Sequence, residues 1–304
     1  MSDTTGSLSR KISSAGDLQS VVRTMKALAA SSIGQYERAV HSLEDYYRTV
    51  QWALAAGIRL MPPANPVPGA RQADAGMVVA IVFGSDQGLV GQFNEVLADF
   101  VGTTLSALPQ SKTLWSVGER IQSRLADTGA PLDKRFALPN SIDAITPLIG
   151  QILVALEAVR EKGDIAQVCL FHNRPEPGSV YAPAMQRLLP LDAVWRRDLT
   201  AIAWPTRNLP EVIQLGEKTL LAFVREYLFV SLFRACAESL ASENASRLAA
   251  MQRAEKNIDE LLEDLNRSFH RLRQNSIDEE LFDVVSGFEA LTQDRAEDPA
   301  AASL

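Results

Sequence analysis

The sequence predicts an α+α/β chain: a long antiparallel two-helix coiled coil made from both termini, carrying a small α/β insert. Three observations predict it. Proline and glycine crowd the middle, where the stretch 57–210 holds 14 of the 15 prolines and 12 of the 17 glycines. Apolar residues recur with a 3.5-residue period in both flanks. Between the flanks, short β-branched runs alternate with helix-like stretches. Proline inside a helix costs ~3 kcal/mol and glycine ~1 kcal/mol relative to alanine. The flanks are therefore free to be long helices, and the middle is not.

The first helix is expected over 1–61. Alternate steps of four and three give Leu8, Ile12, Ala15, Gln19, Val22, Lys26, Ala29, Ile33, Tyr36, Val40, Leu43, Tyr47, Val50 and Leu54. Twelve of these fourteen are apolar, a coiled-coil seam rather than the face of a short globular helix. Met61-Pro62-Pro63 ends it, because proline drives the preceding residue out of the helical region. A proline-rich linker follows at 62–76.

The insert is expected over 77–206. MVVAIVF (Met77 to Phe83), Thr113 to Val117 and Ala166 to Phe171 read as strands. Gln92 to Leu108, Glu119 to Asp127 and Ile142 to Glu161 read as the helices between them. This alternation predicts a small Rossmann-like layer with a parallel sheet.

The last helix is expected over 207–291, with a flexible tail at 292–304. Leu248, Met251, Ile258, Leu262, Leu265, Phe269 and Leu272 keep the period, with Glu255 as the polar interruption. After Leu272 the frame slips by one and resumes at Ile277, Leu281, Val284 and Phe288. From Leu220 to Phe233 the helix is apolar on nearly all sides, so it needs cover on more than one face. The chain leaves along one helix and returns along the other, which favours an intramolecular antiparallel pair; a parallel homodimer is the alternative.

Composition excludes several classes. At 46% hydrophobic and 22% charged residues, the chain is neither disordered nor collagen-like. Its net charge of −7 leaves nucleic-acid binding to a local basic patch. The cluster Arg267, His270, Arg271 and Arg273 has one sign and reads as a solvated face or as contact for an acidic partner. Cys169 and Cys236 have no metal-ligand spacing and read as buried thiols. The most apolar window, Leu220 to Ala237, carries Arg225, Glu226 and Arg234 and is no membrane span; no secretion leader is expected either.

The glycine loop at 84–91 (GSDQGLVG) is neither GxGxxG nor GxxxxGK[ST]. It reads as a tight turn stabilised by Ser85 and Asp86, the alternative being an anion at the next helix N-terminus. His41, His172 and His270 lie one in each part of the chain, and no second ligand pair accompanies Cys169 and His172. Ser85, Asp86 and His172 lack the elbow that presents a nucleophile. No catalytic residue, cofactor or metal site is expected.

Three stretches carry a family resemblance. They are ESLASENASRL (238–248) with Met251, RQNSI (273–277) and Glu280-Leu281 onward; VRTMKALAA (22–30); and SDQGLVGQFN (85–94). They are similar to SLASEHAARMxAM, RQAxIT and QELxEIVxGAxAL, to KAMEMVAAAK, and to SDRGLCGGxN. The chain thereby resembles the gamma subunit, the central rotor shaft of F-type rotary ATP synthases, in a divergent bacterial-type form. The resemblance implies a non-catalytic central stalk transmitting torque between a proton- or sodium-driven c-ring and the alpha/beta ring, peripheral on the cytoplasmic face of the inner membrane. Its implied partners are the alpha and beta subunits, epsilon and the c-ring. By motif, Arg273, Gln274 and Asp278 face the alpha/beta ring, with Met25 and Lys26 near the same region from the other helix. Trp204, Pro205 and Thr206 stand at the foot, towards epsilon and the c-ring. Asp278 replaces the family's threonine, Trp204-Pro205-Thr206 replaces an acidic Glu-Pro-Asp stretch, and Val90 replaces the loop cysteine. The residues alone also admit a small-molecule or nucleotide-binding α/β enzyme, or a homodimeric coiled-coil adaptor.

Overall fold

Among the described residues, six helices and five strands form in the order α1 (Thr5–Leu60), β1 (Met77–Phe83), α2 (Phe93–Ser106), β2 (Lys112–Val117), α3 (Glu119–Ala126), β3 (Leu132–Phe136), α4 (Ile145–Glu161), β4 (Ile165–Glu176), β5 (Ser179–Leu189), α5 (Ala193–Ala201) and α6 (Glu217–Glu297). This computed structural model describes residues 4–60, 76–127, 129–161, 165–208, 210–211 and 217–297. The expected linker, apart from Gly76, and the tail beyond Glu297 lie outside the described residues. The chain divides into two compact units, one of residues 1–25 with 251–304 and one of residues 26–250.

In the larger unit the sheet order is β3-β2-β1-β4-β5. β1 pairs in parallel with β2 and β4, and β2 with β3. The expected parallel sheet is thus a mixed one, because β5 returns antiparallel on β4. A short turn at Pro177 and Gly178 (φ +90°) closes that hairpin. Both faces of the central strands are covered, which is why β1 is apolar without alternation. Val79, Ile81 and Phe83 face α4 and the α6 stretch Leu232 to Ala241. Val78, Ala80 and Val82 face α2 and α3. A third cluster joins Val50, Leu54 and Ile58 of α1, Leu199 of α5, and Leu220, Val224 and Tyr227 of α6. The all-round apolar start of α6 is therefore covered from several sides, as its sequence demands.

The α1 seam is realised. Each of its fourteen positions is buried or half-buried. In the larger unit the hydroxyl of Tyr46 donates to Glu226 at 2.5 Å, and the Tyr47 and Tyr227 rings lie 6.0 Å apart.

In the smaller unit Arg23 donates to Glu255 at 2.9 Å, and Gln19 donates to Asp259. Both pairs sum to 278, so the helices are antiparallel and Thr5 stands opposite position 273. From Arg273 to Phe288 every side chain of α6 is exposed, including Ile277, Leu281, Val284 and Phe288, where the shifted frame resumes. The slip in the pattern marks the place where α6 outruns α1.

Candidate functional site

In an open parallel sheet, ligands bind outside the carboxyl ends of the strands, where the order reverses. Here that crevice lies between β1 and β4, and α6 fills it. The hydroxyl of Ser239 donates to the Phe83 carbonyl at 3.1 Å, and that of Ser246 to the Val90 carbonyl at 2.6 Å. Ser239, Ser242 and Ser246 recur at helical spacing and are buried. With Ala241 between them, their small side chains let the helix axis approach the strand ends, where Ser239 and Ser246 satisfy carbonyls.

Two acidic residues enter with the helix. Glu238 accepts from His172 Nε2 of β4 at 2.8 Å and from Arg234 Nε at 2.7 Å. Burial pushes its carboxyl up, but the bonds and charges of His172 and Arg234 outweigh it and hold the group below its ordinary value. The Arg234 guanidinium also lies 5.6 Å over the Tyr47 ring of α1. Glu243 pairs with Arg247 at 2.6 Å, yet burial raises it, opposed by Arg247 and aided by Asp86.

The glycine loop folds as a turn. Ser85 N donates to Asn94 Oδ1 at 3.0 Å, and Asn94 Nδ2 donates to Ser85 Oγ at 2.8 Å. Asp86 accepts from Glu119 N, and the Ser85 carbonyl from Arg120 N, both at 2.8 Å. The first amides of α3 are thus satisfied by the loop itself, and the carboxylate of Asp86 complements the helix dipole there. Gly84 is required for packing: a Cβ there would lie 2.3 Å from Ile121 Cβ. At Gly118, φ +108°, a Cβ would stand 2.8 Å from the Ser85 carbonyl oxygen, so glycine is needed there for the Ser85 backbone to pass.

The residues singled out by resemblance fall in three places. Met25 and Lys26 are half-buried on α1. Arg273, Gln274 and Asp278 are exposed on α6. The register puts Met25 opposite position 253, about 30 Å along the helix from Arg273 at 1.5 Å per residue. The expected neighbourhood of Met25 and Arg273 is therefore not formed within the pair. Trp204 is half-buried, with Pro205 and Thr206 exposed. Trp204 Nε1 donates to Thr206 Oγ1 at 3.0 Å, its ring lies 6.3 Å from Trp52, and Trp52 Nε1 donates to the Ala203 carbonyl at 3.1 Å. Cys169 and Cys236 are buried free thiols, as their spacing suggested, and burial pushes the Cys169 thiol up to about 11. Among the described residues no cluster of metal-ligating side chains occurs and no helix is long and apolar enough to cross a membrane.

The His172–Glu238 pair was not legible in the sequence, since 66 positions separate its members. The helical spacing of Ser239, Ser242 and Ser246 was the available signal for the closed crevice.

A family model described as ATP synthase matches residues 4–291. The ATP synthase gamma chain of Syntrophus aciditrophicus is 27% identical, covering 94% of this chain and 98% of that one. The gamma chain of Salinibacter ruber is 28% identical, covering 93% and 96%. In fold the chain is similar to one in the rotor of the Euglena gracilis mitochondrial ATP synthase, with TM-score 0.63, 14% identity, and 89% and 97% of the two chains covered. Matched over nearly its whole length, with paired terminal helices around an α/β insert, the chain belongs to the ATP synthase family.

Proposed function

We propose that this chain is the gamma subunit, the central rotor shaft, of an F-type ATP synthase, and that it transmits torque while its partners do the chemistry. The observation that carries the reading is the end of α6. Ile277, Leu281 and Val284 form one stripe and are 53%, 60% and 69% exposed. A stripe of this kind calls for an enclosing partner, and the alpha/beta ring supplies one. On this reading Arg273, Gln274 and Asp278 contact that ring near the tip, and Met25 and Lys26 contact it lower on the shaft. Trp204, Pro205 and Thr206, held by Trp52, face epsilon and the c-ring. The assembly is peripheral on the cytoplasmic face of the inner membrane and is driven by protons or sodium.

The mechanism is differential contact. A shaft touching three equal sites presents a different face to each, and each orientation biases one site's open and closed populations. Taking a site from 1:99 to 99:1 requires about 5.5 kcal/mol of difference. Continuous packing along the seam lets two helices bear that load together. The enzyme alternative is disfavoured because α6 occupies the crevice where a ligand would sit. The homodimer is disfavoured because the α1 seam packs on α6 of the same chain.

The test is co-expression with the matching alpha and beta subunits. A stable complex with stimulated MgATP hydrolysis is expected. Ile277→Asp with Leu281→Asp should abolish the stimulation and leave the melting temperature of the isolated chain unchanged. Equal stimulation by that variant, or no complex with the unaltered chain, refutes the reading.

A further inference from the structure

Glu238 is a junction of three elements. Its carboxylate binds His172 of β4, and it binds Arg234 of its own helix. Arg234 in turn lies over Tyr47 of α1. Around Glu238, α6 packs on the sheet through the small residues Ala235, Cys236, Ala237 and Ala241, together with Leu232, Phe233 and Leu240. Small apolar residues allow close approach but present little relief, and apolar burial is non-directional. Directional polar contacts therefore add to the register that packing sets for α6 against the sheet: the Glu238–His172 pair, and the Ser239 and Ser246 bonds to the Phe83 and Val90 carbonyls. A buried carboxylate hydrogen-bonded on both oxygens resists sliding or turning of the helix, because displacement strands polar groups away from water. Buried ion pairs are weak sources of stability, and their best-attested use is to fix register.

We propose that the Glu238–His172 pair, backed by Arg234 and Tyr47, is a register key through which torque passes between the sheet of the insert and the two shaft helices. These are positioning residues, and the proposal rests on the rotor-shaft reading.

The experiment uses the whole complex in sealed vesicles, with His172→Leu and Glu238→Met combined. Replacing both partners by apolar groups of similar volume should leave the melting temperature unchanged. ATP hydrolysis without an ion gradient should stay within about twofold of the unaltered complex, since little load crosses the key. ATP synthesis driven by an ion gradient should fall at least about threefold, because slippage under load dissipates work. His172→Gln, which keeps a donor for Glu238, should restore synthesis. Equal synthesis in the double variant and the unaltered complex overturns the proposal. So does a parallel loss of both activities with a lowered melting temperature, which assigns the pair to folding alone. Failure of the unaltered chain to enter the complex sinks the rotor reading instead.

Discussion

Replacing Gly84 by alanine should destabilise the larger unit by about 3–5 kcal/mol. The added Cβ would stand 2.3 Å from Ile121 Cβ, 2.6 Å from its Cγ2 and 2.9 Å from Asn94 Oδ1. Carbon atoms prefer roughly 3.5–4.0 Å. A Cβ cannot swing away by changing rotamer, so α3 must retreat by about 1.5 Å. Overpacking of a close-packed core costs roughly 1–3 kcal/mol. The retreat also pulls Glu119 N from Asp86 and Arg120 N from the Ser85 carbonyl, each worth about 1 kcal/mol. The assay is urea unfolding followed by hydrogen exchange of the β1 amides. With m of roughly 1–3 kcal/mol/M, the midpoint should fall by at least about 1 M. Gly88→Ala is the control, because nothing lies within 4 Å of the Cβ it would add. A Gly84→Ala protein within about 1 kcal/mol of the parent refutes the argument, since it removes the packing reason for a glycine there.

Two further outcomes follow from the geometry. Glu238 has its folded value below the ordinary 4.5, so its contribution is complete above about pH 4.5 and is lost as pH falls through the folded value. Glu238→Gln should flatten the acid limb of a urea-midpoint titration; Glu243, whose value is raised chiefly by burial, should act in the opposite sense. An unchanged acid limb in Glu238→Gln contradicts the assignment. Gln19→Cys with Asp259→Cys should cross-link on mild oxidation within one chain, reporting the antiparallel register, and a band of doubled mass on a non-reducing gel would contradict it.

How far the sequence spoke depended on how local each signal was. The α1 seam was fully legible, because a 3.5-residue period depends only on which side chains face the partner. β1 and β2 were legible from their apolar runs. β3, LDKRF, was not: as an edge strand it alternates half-buried and exposed residues, and its Lys134 lies over the Trp115 ring rather than in a core. β5 hid behind Pro183, which is tolerated because the strand is at an edge. α6 begins at Glu217 rather than near 207, as residues 207, 208, 210 and 211 form no helix. The buried polar contacts of the crevice were invisible, since each joins positions more than 60 apart.

The bare stripe at the tip of α6 bears on how such a protein is made. Before its partners arrive, the chain offers water an oily helix end that any other oily surface will accept. Copies produced in excess of the partner subunits should cling to one another or to chaperones through that end. Supply of this chain must therefore keep pace with supply of whatever encloses the tip.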